Sequence, residues 1–356
     1  MKKLARSLYW NWNRTPSRLR QQAQYSGISL YDPNPHYSDP AAKYGLLHYA
    51  YETRGYWYWW INIGDYVQSL AARQFLPRVD TLVERDSVAD YQGDRVRVIL
   101  NGWWDIFAGN IPSKQIDPLY VSVHINNPKY VPPAAIEHMK EHAPIGCRDY
   151  STMNFLKEQG VDAYFSGCLT LTLGKTYAVP PEERTNTIYW VDFDKNILVN
   201  YAKSKMIRSV GLTPQTVRRH LDGVVNTLLP DHAQYRHVYR THRMPLSLSD
   251  EDRFRLADLY LRDYARAKLV ITTKIHCALP CAGMGVPVIL VVTNPNDPRF
   301  GGITQLLNHV GTDAEGNVTQ QLFRSPSGSL LGGSPDIATI VGAIAEKCQN
   351  FVNASG

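Results

Sequence analysis

Residues Lys268 to Leu279, K-L-V-I-T-T-K-I-H-C-A-L, constrain the fold more than any other stretch. Leu269 to Thr273 reads as a buried strand, and a helical pattern then runs through Cys277, Ala278, Leu279 and Ala282 to a stop at Gly283-Met284-Gly285. Val286 to Val292 reads as a second buried strand, which makes the whole a βαβ unit. Lys274 and His276 sit where the first strand breaks into the helix, at the carboxyl end of the strand, where open parallel sheets bind ligands. Unpaired backbone N–H groups and the positive end of the helix dipole favour an anion there, and Lys274 adds a full charge. The expected ligand is negatively charged.

A chain of 356 residues exceeds what one core organises, so two domains of about 150 to 180 residues are expected. Residues 1–55 read as an irregular segment rich in Tyr, Pro and Asn. Tyr56 to Ile61 reads as a strand, and Asn62-Ile63-Gly64-Asp65 turns into a helix with apolar positions Val67, Leu70, Ala71 and Phe75. Strands follow at Thr81–Val83, Val96–Leu100 and Leu119–Ile125, with helices near 133–142 and 149–158. Pro144 to Cys147 leads a short strand into the second of these helices, with Arg148 at the junction and Asp149 at the N-cap position. Gly174 to Thr185 reads as a linker. The alternation then restarts with a strand at 187–193, a helical pattern near 196–226, a strand at 236–240 and a helix at 251–266. Residues 293–302 read as a loop and 336–350 as a closing helix. Short strands alternating with helices indicate doubly wound α/β sheets. The expected organisation is an N-terminal segment (1–55), two Rossmann-like domains facing a cleft (56–180 and 181–335), and a closing helical segment (336–356).

Charged residues make up 20% of the chain and the formal net charge is +6, which fits acidic substrates or a membrane surface. It falls short of the dense Lys/Arg stripes of a nucleic-acid binder, and no nucleic-acid partner is expected. The run His232 to Arg243 reads as one alternating strand with a solvated face, and as the place for a peripheral membrane or anionic-glycan contact. No leader and no run of about 18 apolar residues is visible. Five cysteines without CxxC spacing read as buried free thiols, which places the chain in the cytoplasm. Cys277 and Cys281 have the spacing of half a metal site, but no second Cys/His pair of suitable spacing joins them, so no metal is expected.

The order Asn62-Ile63-Gly64-Asp65, then Gly146-Cys147-Arg148-Asp149 heading a helix, then Lys274-Ile275-His276 followed by Gly285-Val286-Pro287-Val288, resembles the polysaccharide pyruvyl transferase family over about residues 56–295. The resemblance implies a fold like the two-Rossmann-domain (GT-B-like) glycosyltransferases. It also implies phosphoenolpyruvate as donor substrate with no further cofactor, and a saccharide or lipid-linked saccharide hydroxyl pair as acceptor. The product is then a pyruvate ketal on a surface polysaccharide, made in the cytoplasm or at the inner face of the membrane. In the family the position of Lys274 is usually Arg, followed by Leu and His. Lys keeps the charge but lacks the bidentate fork.

Phosphoenolpyruvate carries a carboxylate and a phosphate, so its site needs at least two cations; Arg148 and Lys274, backed by a helix N-terminus, supply them. His276, with an ordinary pKa of about 6.5, is the candidate for moving a proton. Asp65 is the candidate base for the acceptor hydroxyl and His124, at a strand end, a weaker one. Asn62 and Gly64 join the substrate-binding set through the motif. Trp103 and Trp104 are candidates for stacking a sugar ring, or for packing in the core. Two rival readings use the same architecture: a glycosyltransferase taking a nucleotide sugar, and a non-catalytic glycan-binding relative.

Overall fold

The computed structural model describes residues 15–35, 42–50, 60–104, 110–192, 214–292, 294, 296–312 and 318–354. Nine helices are described: α1 (Pro16–Ala23), α2 (Ile63–Arg73), α3 (Pro133–Glu141), α4 (Tyr150–Glu158), α5 (Gly174–Tyr177), α6 (Pro214–Leu228), α7 (Asp250–Ala265), α8 (Ile275–Gly283) and α9 (Ile337–Asn353). The strands of the first half are β1 (Lys43–His48), β2 (Ile61–Asn62), β3 (Thr81–Glu84), β4 (Val96–Trp103), β5 (Ile116–His124), β6 (Ile145–Cys147) and β7 (Ala163–Phe165). Those of the second are β8 (Thr187–Val191), β9 (Arg236–Arg240), β10 (Arg243–Met244), β11 (Leu269–Thr272), β12 (Val288–Val291), β13 (His309–Thr312) and β14 (Val318–Gln321).

These strands build two six-stranded sheets with helices packed against them. The first, β3-β1-β4-β5-β6-β7, is parallel throughout, and the second, β9-β8-β11-β12-β13-β14, is parallel except for β14. Ranked by position in the chain, both follow one spatial order: second, first, third, fourth, fifth, sixth. Each sheet therefore reverses its winding between its first and third strands, at β1/β4 and at β8/β11, and a crevice opens at the carboxyl ends of such a pair.

The second sheet shows why a near-continuous apolar run makes a strand here. Tyr189, Val191, Val270, Val288 and Leu290 point into a core shared with the first half, while Ile188, Trp190, Leu269, Ile271, Ile289 and Val291 form a separate cluster on the other face with Val224 and Val225 of α6. Side chains two apart share a face, so a strand covered on both sides is apolar at every position. The shared core is also what joins the halves. It holds Tyr66, Val67 and Leu70 of α2 together with Phe254, Leu261 and Tyr264 of α7 and Cys277 to Leu279 of α8. The closing helix α9 returns to the first half, where Arg97 donates to the carbonyl of Ala354 and the Tyr44 hydroxyl donates to that of Val352.

Several expectations are corrected. The segment before residue 56 is not irregular throughout: α1 lies there, and Lys43–His48 is a strand between β3 and β4. Its apolar stretch is only Leu46-Leu47, flanked by Gly45 and His48, too short to stand out by periodicity. Most of the Tyr56–Ile61 strand lies outside the described residues; its end, Ile61–Asn62, pairs antiparallel with Arg243–Met244 and joins neither large sheet. The first part of the 196–226 helical pattern also lies outside them, and α6 covers the rest. The expected linker contains α5, whose Tyr177 is buried, while most of its other residues are exposed. Within the His232–Arg243 run, Arg240 is not solvated: it donates to Asp263 at 2.6 Å and lies against the rings of Tyr189, Tyr260 and Tyr264. Cys147, Cys168, Cys277, Cys281 and Cys348 are free and buried. Among the described residues, no helix is long and apolar enough to cross a membrane.

The Gly283 stop is a packing device. A Cβ there would lie 2.0 Å from the Leu171 carbonyl oxygen, and one on Gly174 would lie 2.1 Å from the carbonyl oxygen of Gly283. Backbone meets backbone at this crossing, with no flexible side chain to give way. Gly283→Ala is expected to destabilise the protein by at least the ~1–3 kcal/mol of an overpacked core site. Urea unfolding checks this, and an unchanged midpoint would show that the crossing is loose.

Candidate active site

The loops at the carboxyl ends of both sheets carry six charged or titratable side chains: Lys274 pairs with Asp192, while His276, Arg148, Asp149 and His124 form one connected chain. In the second half, β11 runs into Lys274, which holds the N-cap position of α8 without a side-chain cap; its backbone N–H donates to Thr272 Oγ1 at 3.0 Å. The Lys274 ammonium lies 3.7 Å from Asp192 Oδ2, with a quarter of the side chain exposed. Asp192, just past β8, is buried and adopts φ +51, a left-handed conformation that costs a non-glycine residue about 1–3 kcal/mol. Thr241 Oγ1 donates to it at 2.5 Å and the His242 N–H at 3.2 Å, and these bonds hold it there.

In the first half, Arg148 follows β6 and is only 2% exposed. Its Nη1 donates to His276 Nε2 at 3.4 Å, a long bond that crosses from one half of the chain to the other. Its Nε is buried and lacks a hydrogen-bond partner, with Asp149 Oδ2 3.8 Å away. Asp149 is the N-cap of α4, accepting from the Thr152 N–H and hydroxyl at 3.0 Å each with Oδ1. Its other oxygen accepts from His124 Nδ1 at 2.7 Å. His124 is fully buried, and its Nε2 has no partner. A bulge between Leu100 and Gly102, with Gly102 at φ +87, sets Trp103 opposite His124, where the two rings meet edge to face at 5.9 Å.

Electrostatics decides the protonation of this chain. Burial lowers the pKa of His276 well below the ordinary histidine value, and the charges of Arg148, His242, Arg299 and His124 push it further. Burial and Arg148 likewise lower His124, against the opposing pull of Asp149. Burial raises Asp149, but the hydrogen bond and charge of His124 together with Arg148 outweigh it and leave the carboxyl below its usual range. At neutral pH the resting chain is a carboxylate, a guanidinium and two neutral imidazoles. Because Arg148 donates to His276 Nε2, the proton of that ring is assigned to Nδ1; the Asp149 bond assigns the His124 proton to Nδ1 as well.

The start of α2 closes the site from a third side. Asn62 is its N-cap, accepting from the Gly64 N–H at 3.1 Å. A Cβ on Gly64 would stand 3.0 Å from His276 Cβ, so the helix comes close to His276 here and a larger residue would press on it. Asp65 is buried and turned along its own helix, accepting from Asn62 Nδ2 at 3.4 Å and Gln68 Nε2 at 3.2 Å. Gln68 Oε1 and Asn101 Oδ1 are buried without partners beside Gly102. Near Arg148 and His124, an Asp297–Arg299 ion pair forms the edge of a cavity of about 400 Å³, whose lining includes Ser151, Asp297, Phe300, Thr304 and His309.

The structure thus brings together Asn62, Gly64, Arg148, His124 and His276, with Lys274 two residues from His276. Trp103 is 37% exposed and borders the group. Trp104 does not: it is 1% exposed and packs against Tyr120, so the stacking role expected of it is corrected to a core role. The side chain turns inward because strand neighbours point to opposite faces. His124 is a strand-end histidine, but not a satisfied one. The sequence reading missed the work of Asp149, Asp192, Gln68 and Arg299. Asp149 was visible as a cap, but nothing local links it to a histidine 25 residues earlier.

This geometry defines an α/β protein in which cationic and imidazole side chains from both halves of the chain meet. A family model for polysaccharide pyruvyl transferase matches residues 62–295, well over half of the chain. The chain belongs to that family, whose name describes transferases acting on polysaccharide. No curated protein matches it.

Folding moves both His276 and His124 into surroundings that oppose their charged forms. Between the depressed native values and the unfolded value of about 6.5, the unfolded chain binds more protons. Stability is therefore expected to fall as pH drops below about 6.5. The slope should flatten in His276→Gln, as measured by urea midpoints from pH 7.5 to 5. An unchanged slope would mean that His276 titrates as freely in the folded protein as in the unfolded one.

Proposed function

We propose that this chain transfers a pyruvyl group from phosphoenolpyruvate to a pair of saccharide hydroxyls, forming a pyruvate ketal during surface polysaccharide synthesis. The observation that carries the reading is the 3.4 Å contact of Arg148 with His276, one cation and one imidazole from opposite halves, with Lys274 at the same corner. The two halves act as the paired Rossmann-like domains of a GT-B-like enzyme, with the donor held between them. The acceptor is a saccharide or lipid-linked saccharide, met on the cytoplasmic side of the membrane.

Arg148, with an unused Nε, and Lys274 hold the carboxylate and phosphate of the donor. A dianion placed there offsets the cations that keep His276 neutral, so its pKa rises on binding and the ring gains a proton. Protonated His276 then delivers that proton to the enol methylene, leaving an electrophilic C2. His124 Nε2 takes the proton from the first attacking hydroxyl, while Asp149 holds the ring in the required tautomer and stabilises the imidazolium. The second hydroxyl attacks the same carbon, and the C2–O bond to phosphate breaks. Two hydroxyl protons are lost: one balances the methyl group formed, the other leaves on phosphate. Asp65, held by Asn62 and Gln68, orients the first turn of α2 beside His276 and is not the base in this scheme.

Incubation with phosphoenolpyruvate and an aryl β-galactoside or another simple acceptor should release phosphate and yield an acid-labile pyruvate adduct. Replacing His124 or His276 by Ala should lower kcat by about 10²- to 10⁴-fold, the usual range for a lost acid or base. Lys274→Arg, which supplies the fork, should keep turnover and lower KM for phosphoenolpyruvate. Thermal stabilisation by a nucleotide diphosphate and none by phosphoenolpyruvate would transfer the assignment to a glycosyltransferase. Stabilisation by glycans alone, without turnover, would transfer it to a non-catalytic relative.

A further inference from the structure

The last turn of α3 lies away from the site just described and carries a different chemistry. One ring nitrogen of His138, one of His142 and a carboxylate oxygen of Glu141 all lie within 4.8 Å of one another, the one group of three metal-capable side chains among the described residues. His138 and His142 are four residues apart on one helical face, and their rings stand 4.3 Å apart, tilted by 33°.

Both rings are already oriented by outer partners. His142 donates from Nδ1 to the His138 carbonyl at 2.9 Å, which leaves its Nε2 lone pair available. His138 Nε2 lies 2.9 Å from the hydroxyl of Tyr120, a fully buried side chain of β5; with Nε2–H donating, Nδ1 is left for a ligand. An imidazole whose second nitrogen donates to a carbonyl or hydroxyl is the usual arrangement around a bound metal. Glu141 is exposed and forms no ion pair with any described residue, while the neighbouring Lys140 pairs with Glu137 at 2.8 Å. The three groups also sit at the carboxyl end of the helix, where orphan carbonyls favour positive charge.

We infer that His138, Glu141 and His142 form a binding site for Zn²⁺, with water in the fourth position. Two imidazoles and a carboxylate suit zinc and its first-row neighbours, whereas Mg²⁺ and Ca²⁺ take oxygen ligands. A bound ion clips the end of α3 to β5 through Tyr120. Three residues after His142 the chain enters β6, the strand that leads into Arg148.

The test is a Zn²⁺ titration of chelator-treated full-length protein against a fluorescent zinc indicator, with Co²⁺ absorption as a second readout. One Zn²⁺ per chain is expected, with visible bands of tetrahedral Co²⁺. Glu141→Ala and His142→Ala, both at positions with solvent access, should each weaken binding at least about tenfold, the low end of what losing even an outer partner of a ligand costs. Mg²⁺ should not compete, and Zn²⁺ should raise the Tm of the wild type but not of His142→Ala. Binding of equal strength in wild type and both variants would show only adventitious ions on other histidines and overturn the inference. Absence of one-to-one binding in the wild type would do the same.

Discussion

Arg148 is a charged side chain with almost no access to water, and its surroundings leave it under-compensated. Asp149 lies 3.8 Å from its Nε, and its Nη1 faces an imidazole held neutral. An ion moved out of water costs several kcal/mol unless partners repay it, and here the partners are few. What holds it in place is the shared core of α2, α7 and α8 against both sheets, which closes the two halves over it. The same burial keeps His276 and His124 neutral, while the hydrogen bond from His124 and the charge of Arg148 keep Asp149 ionised against it.

The equal strand order of the two sheets explains how such a chain of contacts assembles. In each sheet the winding reverses after the first strand, and the loops beyond the carboxyl ends carry the reactive residues: Asp192, Lys274 and His276 in one, His124, Arg148 and Asp149 in the other. Backbone strain collects there as well. Ser122 at φ +61 and Asp192 at φ +51 are the two non-glycine residues in left-handed conformation among the described residues. Both are buried within a few residues of the site. Strain of this kind persists only where surrounding packing over-determines it.

Much of this was legible in the chain itself. The strand-to-helix break at Lys274, the capped turn at Asn62 to Asp65 and the cap at Asp149 are local events, set by residue spacing and by the orphan N–H groups of a helix start. Their carriers fall within the span that the family model matches. What stayed hidden was relational. Strand β1 carries too short an apolar stretch to announce itself, and its place follows from pairing with β3 and β4. Trp103 and Trp104 are chemically alike as sequence, and the pleat alone sends one toward solvent and the other into the core. The His138–His142 pair is visible as a four-residue spacing, but its value depends on Tyr120, eighteen residues earlier on a neighbouring strand.

The sequence by itself determined the alternation of strands and helices, the positive charge at two helix starts and the order of the motifs. Each of these depends on side-chain periodicity and on backbone groups within a few residues. Tertiary structure alone decided that His124 would gain Asp149 and lose water and that Arg148 would reach across to His276. Those outcomes depend on distances between segments far apart in the chain and on the low polarity of the space they enclose, and neither exists until the two sheets have packed.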